Sequence, residues 1–194
     1  MAASRSGVRT ITIQGITKRY GQHRALAPTD LTLTAGRVCA LLGPNGAGKS
    51  TLLGILSTLV RPSSGTVQFF CDDGTTLTGS ELRRRIGVLA HESFVYGELT
   101  GCENMTFYAN LYGLKRVNQR AAEVLDQVGL DPKAAARPAR TYSRGMTQRL
   151  ALARTLLHQP DILLLDEPFT GLDHEGSLRL REVLSLAQRH QNIV

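Results

Sequence analysis

The stretch Val8-Arg-Thr-Ile-Thr-Ile-Gln14 alternates apolar and polar residues, as a half-buried strand does. Leu31-Thr-Leu-Thr34 repeats the pattern, and Ala35-Gly36 turns the chain. Residues 37–42 form a compact apolar run, which predicts a strand buried on both faces. Glycines interrupt this run at residues 43–48. Residues 49–59 then place Leu52, Leu53, Ile55, Leu56 and Leu59 at helical spacing. The order is strand, glycine loop, helix. After a turn at Arg61-Pro-Ser-Ser-Gly65, residues 66–70 read as a strand closed by a tight turn at Asp72-Asp73-Gly74. A short helix is expected to begin at Ser80, and Ile86–Leu89 reads as a short strand.

From about Leu99 the texture becomes helical. Thr100-Gly-Cys-Glu103 has the form of a capping box, with Phe107, Tyr108, Leu111 and Tyr112 expected on one face of the helix that follows. Ala121, Val124, Leu125 and Val128 mark a second amphipathic helix ending near Gly129, and residues 146–157 a third. Ile162–Leu165 returns to buried strand, and a last strand is expected to start at Asn192-Ile-Val194. This order predicts one domain over residues 1–194: an α/β core at residues 1–94 and 146–194, with a helical insertion at about 95–145.

Composition narrows the class. A chain of 194 residues with 42% hydrophobic and 20% charged residues can bury a core, so it is not a disordered segment. The longest apolar runs fall far short of the roughly 20 residues that cross a bilayer. The first ten residues carry Arg5 and Arg9 but no apolar block, so no secretory leader is expected. Cys39, Cys71 and Cys102 are too widely spaced for a metal clamp and read as reduced, buried thiols. The histidines show no metal-ligand spacing. A net charge of +7 suits an anionic partner such as nucleotide, nucleic acid or lipid headgroups. With five Tyr, five Phe and no Trp, a platform for stacking single strands is poorly supplied.

The chemistry begins at the glycine break. Gly43, Pro44, Asn45, Gly46, Ala47, Gly48, Lys49 and Ser50 match G-x-x-x-x-G-K-[ST] at every position, and Thr51 extends the set of nucleotide-binding candidates. Glycines at these places let backbone amides turn inward and cradle phosphate oxygens at a helix N-terminus. Lys49 is then expected to reach the β- and γ-phosphates, and the Ser50 hydroxyl to bind Mg²⁺. The second element is Ile162-Leu-Leu-Leu-Asp-Glu-Pro168, an apolar strand that delivers two carboxylates at its end. Asp166 is expected to hold the Mg²⁺ shell and Glu167 to orient or deprotonate an attacking water. An Asp-Glu pair by itself is most often a solvated turn; the upstream phosphate loop is what gives this one a role.

Together with a third element, these motifs resemble the ATP-binding cassette (ABC) family of ATPases. That element is Tyr142-Ser-Arg-Gly-Met146, followed by Thr147, Gln148 and Arg149 and a helix. It is similar to the family signature Leu-Ser-Gly-Gly-Gln, with Ser143 and Gly145 matching and Tyr142, Arg144 and Met146 departing from it. The resemblance covers nearly the whole chain. It implies a P-loop NTPase mixed sheet with a helical subdomain, C-terminally short, and hydrolysis of ATP with Mg²⁺. It also implies that Ser143 and the amides near Gly145 contact the γ-phosphate of an ATP held by a second copy or a paired subunit. Tyr20 sits where the family stacks an aromatic on adenine, and Gly171-Leu-Asp173 resembles the dimer-contacting loop after the acidic pair. Where the family has a Gln that touches Mg²⁺ and water and couples to the membrane partner, this chain has His91. A neutral imidazole there can ligate a metal or accept a proton, and a structural loop histidine is the alternative. The family's switch histidine would fall beyond Val194, while His174 and His190 come too early to replace it.

The implied function is the ATP-hydrolysing subunit of an exporter, at the cytoplasmic face of the inner membrane. Its partner would be an integral-membrane permease, with no nucleic acid expected. Leu89-Ala-His-Glu-Ser93, Tyr96-Gly-Glu-Leu-Thr100 and Glu103-Asn-Met-Thr-Phe-Tyr108 resemble the heme-exporter ATPase subunits of cytochrome c maturation. The alternatives are an ABC-2-type exporter of another cargo, an ABC ATPase acting on nucleic acid, and a nucleotide-binding module without turnover.

Overall fold

The structure, a computed structural model, describes residues 6–188 and the backbone of residues 192–193. The chain forms two compact units. The first holds residues up to 88, residues 161–166 and the end of the chain from 188; the second holds residues 89–160 and 167–187.

In the first unit, β1 (Val8–Tyr20) is the middle strand of an antiparallel sheet, flanked by β2 (His23–Thr34) and β3 (Ser64–Cys71). Ile11 faces Leu33 on one side and Phe69 on the other, and Ile13 faces Leu31 and Val67. Apolar residues separated by two positions share a face of the pleat, so Ile11 and Ile13 are buried together, joined by Val8 and by Ile16 beyond a register shift. Below this sheet lies α1 (Lys49–Leu56), whose Leu52, Leu53, Ile55 and Leu56 enter the same core. The short helix α2 (Gly79–Arg83) adds Leu82 to it. A second sheet has the order β4 (Ile86–Leu89), β5 (Ile162–Leu165), β6 (Asn192–Ile193), with β5 and β6 parallel. All four residues of β5 are buried, as a continuous apolar run requires of a central strand, and α1 packs against it.

Arg85 and Asp161 join the starts of β1, β4 and β5. Asp161 Oδ2 accepts from Arg85 Nη1 at 2.9 Å and from the Val8 amide at 3.1 Å, while Arg85 also donates to the Ser6 carbonyl at 3.0 Å. The amides of Asp161 and Ile162 both donate to the Arg85 carbonyl.

Residues 37–42 are not the strand their apolar run predicts. Apart from a single bridge at Val38 the segment is irregular, and Val38 and Leu42 are 53% and 91% exposed. An apolar run of this length specifies burial only where a ladder partner takes up its amides, and among the described residues the second sheet runs β4-β5-β6 without it. Helix α1 also stops earlier than expected. Thr58 takes a left-handed conformation (φ 64°) just past the Ser57 cap, which leaves Leu59 outside the helix and exposed. The tight turn at residues 72–74 forms as expected, with the Gly74 amide donating to the Cys71 carbonyl. Of the three free cysteines only Cys71 is buried; Cys39 is half-buried and Cys102 exposed. Val194 lies outside the described residues.

The second unit is helical: α3 (Gly101–Leu111), α4 (Val117–Gln127), α5 (Pro132–Ala135), α6 (Arg144–Leu156) and α7 (His174–Gln188), whose last residue belongs to the first unit. The capping box at α3 is present in full: the Glu103 amide donates to Thr100 Oγ1 and the Thr100 amide to Glu103 Oε2. The residues expected to share a face of α3 do not form its buried side. Gly101, Asn104, Met105 and Ala109 point inward, while Phe107 and Leu111 are exposed. Asn104, fully buried, accepts from the Tyr96 amide and donates to the carbonyls of Tyr96, Leu99 and Thr100. A polar side chain with this many partners is a satisfied part of a core, which is why the helix turns it inward. Ala121, Val124, Leu125 and Val128 are buried on and just after α4, as their spacing predicts.

Candidate nucleotide site

The glycine loop and α1 fix the geometry of the candidate phosphate site. Gly48 caps α1 in a left-handed conformation (φ 92°), and a Cβ there would stand 2.6 Å from the Ala25 carbonyl oxygen and 3.0 Å from Leu26 Cδ1. Only glycine lets β2 and the start of α1 approach this closely. No side chain caps α1 and its first turn holds no acidic residue, in contrast to the boxed N-terminus of α3. The amides of Lys49, Ser50 and Thr51 therefore lack an intrahelical acceptor, at the positive end of the helix dipole. Lys49 Nζ bends back over the loop and donates to the carbonyls of Gly43 at 2.8 Å and Pro44 at 3.0 Å. Gly43, Pro44, Asn45, Gly46 and Ala47 are exposed, so the loop is open to a ligand. An uncapped helix start and a lysine held on the loop fit a polyphosphate.

Asp166, half-buried, directly follows β5 in the same unit, and β5 is the strand against which α1 packs. Ser50 and Asp166 offer a hydroxyl and a carboxylate, hard oxygen donors of the kind Mg²⁺ takes. Among the described residues no group of three or more His, Cys, Asp or Glu forms a metal cluster. Tyr20, at the end of β1, is half-exposed. Lys18 Nζ sits 4.9 Å from its ring centroid and donates to the Arg61 carbonyl at 2.7 Å. The ring is thus braced on one side and open to a flat ligand.

The second unit carries the other candidates. Glu167 is exposed and left-handed (φ 47°), a conformation costly for a residue with a side chain and concentrated at functional turns. Its carbonyl accepts from the Thr170 amide at 3.0 Å, and its Oε2 from Thr170 Oγ1 at 3.3 Å. Ser143 caps α6, accepting from the Met146 amide at 3.3 Å, with Gly145 in the first turn. The Ser143 oxygen is thus engaged as a cap while its proton remains available to donate. His91 lies in an exposed bend just past β4.

Four features have no counterpart in the motif analysis. Tyr142 Oη donates to the Ala134 carbonyl at 2.9 Å, and Gly101 has no room for a Cβ, which would stand 2.6 Å from Tyr142 Oη. The Arg154 guanidinium lies over the rings of Phe94 and Tyr108, and burial pushes its pKa down and those of Tyr108 and Tyr112 up. His158 stacks on Tyr112 with centroids 4.1 Å apart. The side chains of Arg144, Gln148 and Arg149 reach the turn after Glu167. Helical spacing of residues 144 and 148 is the one signal that pointed to a shared face.

A glycine loop opening a helix, beside a strand that ends in a carboxylate, defines a P-loop nucleotide-binding protein. Comparison with known proteins narrows the class. The model of the family described as ABC transporter matches residues 26–170. A daunorubicin/doxorubicin resistance ATP-binding protein of Streptomyces peucetius is 44% identical over 85% of this chain and 50% of its own length. The ABC transporter ATP-binding protein NatA of Bacillus subtilis is 35% identical over 95% of this chain and 77% of its own. A bacitracin transport ATP-binding protein of Bacillus licheniformis is 35% identical over 92% and 57%. Among solved structures, the dimeric bacterial ABC transporter cassette MJ0796 superposes with a TM-score of 0.82 at 27% identity, covering 95% of this chain and 87% of that one. The same cassette, dimeric in a post-hydrolysis state bound to ADP and Pi, gives 0.80 at 28% identity, covering 95% and 85%. The chain belongs to the ABC transporter family, and its fold is that of the ABC cassette. It spans about half the length of the Streptomyces peucetius protein and of a daunorubicin resistance ATP-binding protein from Streptomyces coeruleorubidus.

Proposed function

We propose that the chain is the ATP-binding and ATP-hydrolysing part of an ABC exporter. The observation that carries this reading is the uncapped start of α1, with Gly48 pressed onto β2 and Lys49 held on the loop carbonyls. Backbone amides of the glycine loop and of the first turn of α1 bind the phosphates. Lys49 exchanges its two carbonyl partners for β- and γ-phosphate oxygens, and Tyr20 stacks on the adenine. Ser50 and Asp166 hold Mg²⁺, which when bound neutralises charge developing between the β- and γ-phosphates. Glu167, joined to Asp166 by a peptide bond, orients and deprotonates the attacking water; His91 assists from the position where the family has Gln. Ser143 and the amides near Gly145 contact the γ-phosphate held by a second cassette, an arrangement in keeping with the dimeric relative.

The helical insertion at about 95–145 serves as the face toward an integral-membrane permease, with residues 1–94 and 146–194 as the ATPase core. Among the described residues no helix is long and apolar enough to cross a membrane. We place the chain at the cytoplasmic face of the inner membrane. For the cargo, the relatives named above are a drug-resistance, a bacitracin-transport and an ABC transporter protein, which favours an ABC-2-type exporter of a small organic molecule. Heme is the narrower alternative. It is supported by His91 and by the sequence of residues 96–108, whose Tyr96, Phe107 and Tyr108 rings pack edge to face, with Tyr96 and Phe107 exposed.

The test is Glu167→Gln in the natural full-length protein. The variant is expected to keep ATP affinity, lose phosphate release and accumulate as an ATP-bound dimer. Unchanged phosphate release removes Glu167 from its role, and an ATP-free chain under saturating nucleotide removes the whole reading.

A further inference from the structure

Residues 167–173 leave β5 as a turn without ladder partners, yet α6 reaches them with three side chains. Arg144 lies flat across Gly171: a Cβ on that glycine would stand 2.7 Å from Arg144 Nε, 2.8 Å from Cδ and 2.9 Å from Cγ. Gly145 closes in beside it, its would-be Cβ 3.4 Å from the Gly171 carbonyl oxygen. One helical turn on, Gln148 Nε2 donates to the Pro168 carbonyl at 3.2 Å. Arg149 Nη2 lies 3.4 Å from Asp173 Oδ1 while its Nη1 donates to the Gly129 carbonyl at 3.0 Å. Asp173 in turn accepts from the Gly176 amide at 2.7 Å, which seats the start of α7. Residues 144 and 148 are four apart and so share one helix face. The turn is gripped at both ends and in the middle by one rigid element.

We propose that Arg144 is a positioning residue for Glu167: by covering Gly171 it makes the turn that begins at Glu167 move as one piece with Ser143 and Gly145. This inference rests on the role given to Glu167 above. It also gives a purpose to a departure from the family signature, since Arg144 stands where that motif has glycine and a glycine would leave Gly171 uncovered. The methylenes and Nε of the arginine fill the space a Cβ would take, so the turn cannot roll toward α6. Gln148 fixes the carbonyl of Pro168, the residue directly after the left-handed Glu167 (φ 47°). Closure of the signature on a nucleotide would then carry the carboxylate with it instead of leaving its orientation to a free turn.

The test is a double-mutant cycle in the natural full-length protein: Arg144→Ala, Gly171→Ala, both together, and Glu167→Gln as reference. Arg144→Ala is expected to lower kcat about tenfold with KM for ATP changed less than about twofold, because a misaimed group costs turnover and not ground-state binding. Hydrogen exchange at residues 168–173 should speed up while that of β5 stays. Gly171→Ala strains the backbone in either background, but only beside Arg144 does its Cβ also clash; it should cost kcat at least about fivefold more there than in the Arg144→Ala protein. Additive effects on kcat with unchanged exchange at residues 168–173 overturn the proposal. A loss of melting temperature with kcat intact does so too, since it marks Arg144 as merely structural. If Glu167→Gln is inactive while the cycle is additive, the positioning role fails alone. If Glu167→Gln turns over normally, the role of Glu167 fails and this inference goes with it.

Discussion

Lys49 Nζ stands 2.8 Å from the Gly43 carbonyl oxygen, so the ammonium is already held over the loop to which the triphosphate is assigned. The second acceptor, the Pro44 carbonyl at 3.0 Å, fixes the side chain in the same place. Phosphate oxygens are stronger acceptors than carbonyls for an ammonium, so nucleotide binding is an exchange of partners with little movement. Lys49→Ala should therefore weaken ATP binding at least about tenfold, on the order of one charge-assisted hydrogen bond. Equilibrium titration with a fluorescent ATP analogue measures it. Undiminished affinity contradicts the assignment of the phosphate loop. A parallel unfolding curve separates this from loss of fold.

The Arg85–Asp161 pair is the polar joint of the first unit. Its side chains are 11% and 17% exposed, and the carboxylate serves both the guanidinium and the Val8 amide. Removing the carboxylate leaves the arginine without its charge partner in a poorly hydrated place, which is the costly half of a buried pair. Asp161→Ala should destabilise the protein by about 3 kcal/mol, read as a lower urea midpoint at constant slope. Arg9→Ala, which breaks the exposed pair with Asp72, should cost less than about 1 kcal/mol. Equal effects from the two would show that burial does not govern the Arg85 joint.

What was legible in the sequence follows from which forces are local. Ile162–Leu165 matches its strand residue for residue, because a run buried on every side needs no knowledge of which face is covered. The capping box at Thr100 and Glu103 closes within four residues, and the glycine loop before α1 is fixed by its own φ angles. Faces were less legible. The spacing of Phe107, Tyr108, Leu111 and Tyr112 on α3 does not say which face is buried; Asn104 and Met105 turn inward, because Asn104 satisfies four backbone groups around residues 96–100. The stretch at 37–42 failed for a related reason: whether an apolar run becomes a strand depends on a neighbour that the run does not encode. The motifs named Ser143 and Glu167, yet the bonds from α6 to the turn after Glu167 depend on how distant residues meet, so Arg144 and Gln148 stayed hidden.

The capping box gives the chain a pH-dependent contribution whose sign is fixed by its geometry. The Glu103 carboxyl is held below the usual carboxylate range, first by the hydrogen bond from the Thr100 amide and then by the Thr100 side chain. A carboxyl depressed in the folded state binds its proton more readily in the unfolded chain. Its contribution is therefore complete above the ordinary glutamate value of about 4.3 and fades as pH falls through the lower folded value. Glu103→Ala should be less stable than the native protein at pH 7, and the difference should shrink below about pH 4 as the native carboxyl takes up its proton. Thr100→Ala removes the other half of the box and should cost about 1 kcal/mol at neutral pH. In that background Glu103→Ala should show a smaller pH-dependent difference, since the hydroxyl contribution to the depressed carboxyl is gone. Urea unfolding at pH 7, 5, 4 and 3 measures both. A difference between native and Glu103→Ala that grows on acidification would mean the carboxyl is raised on folding, against the bonds seen at the start of α3.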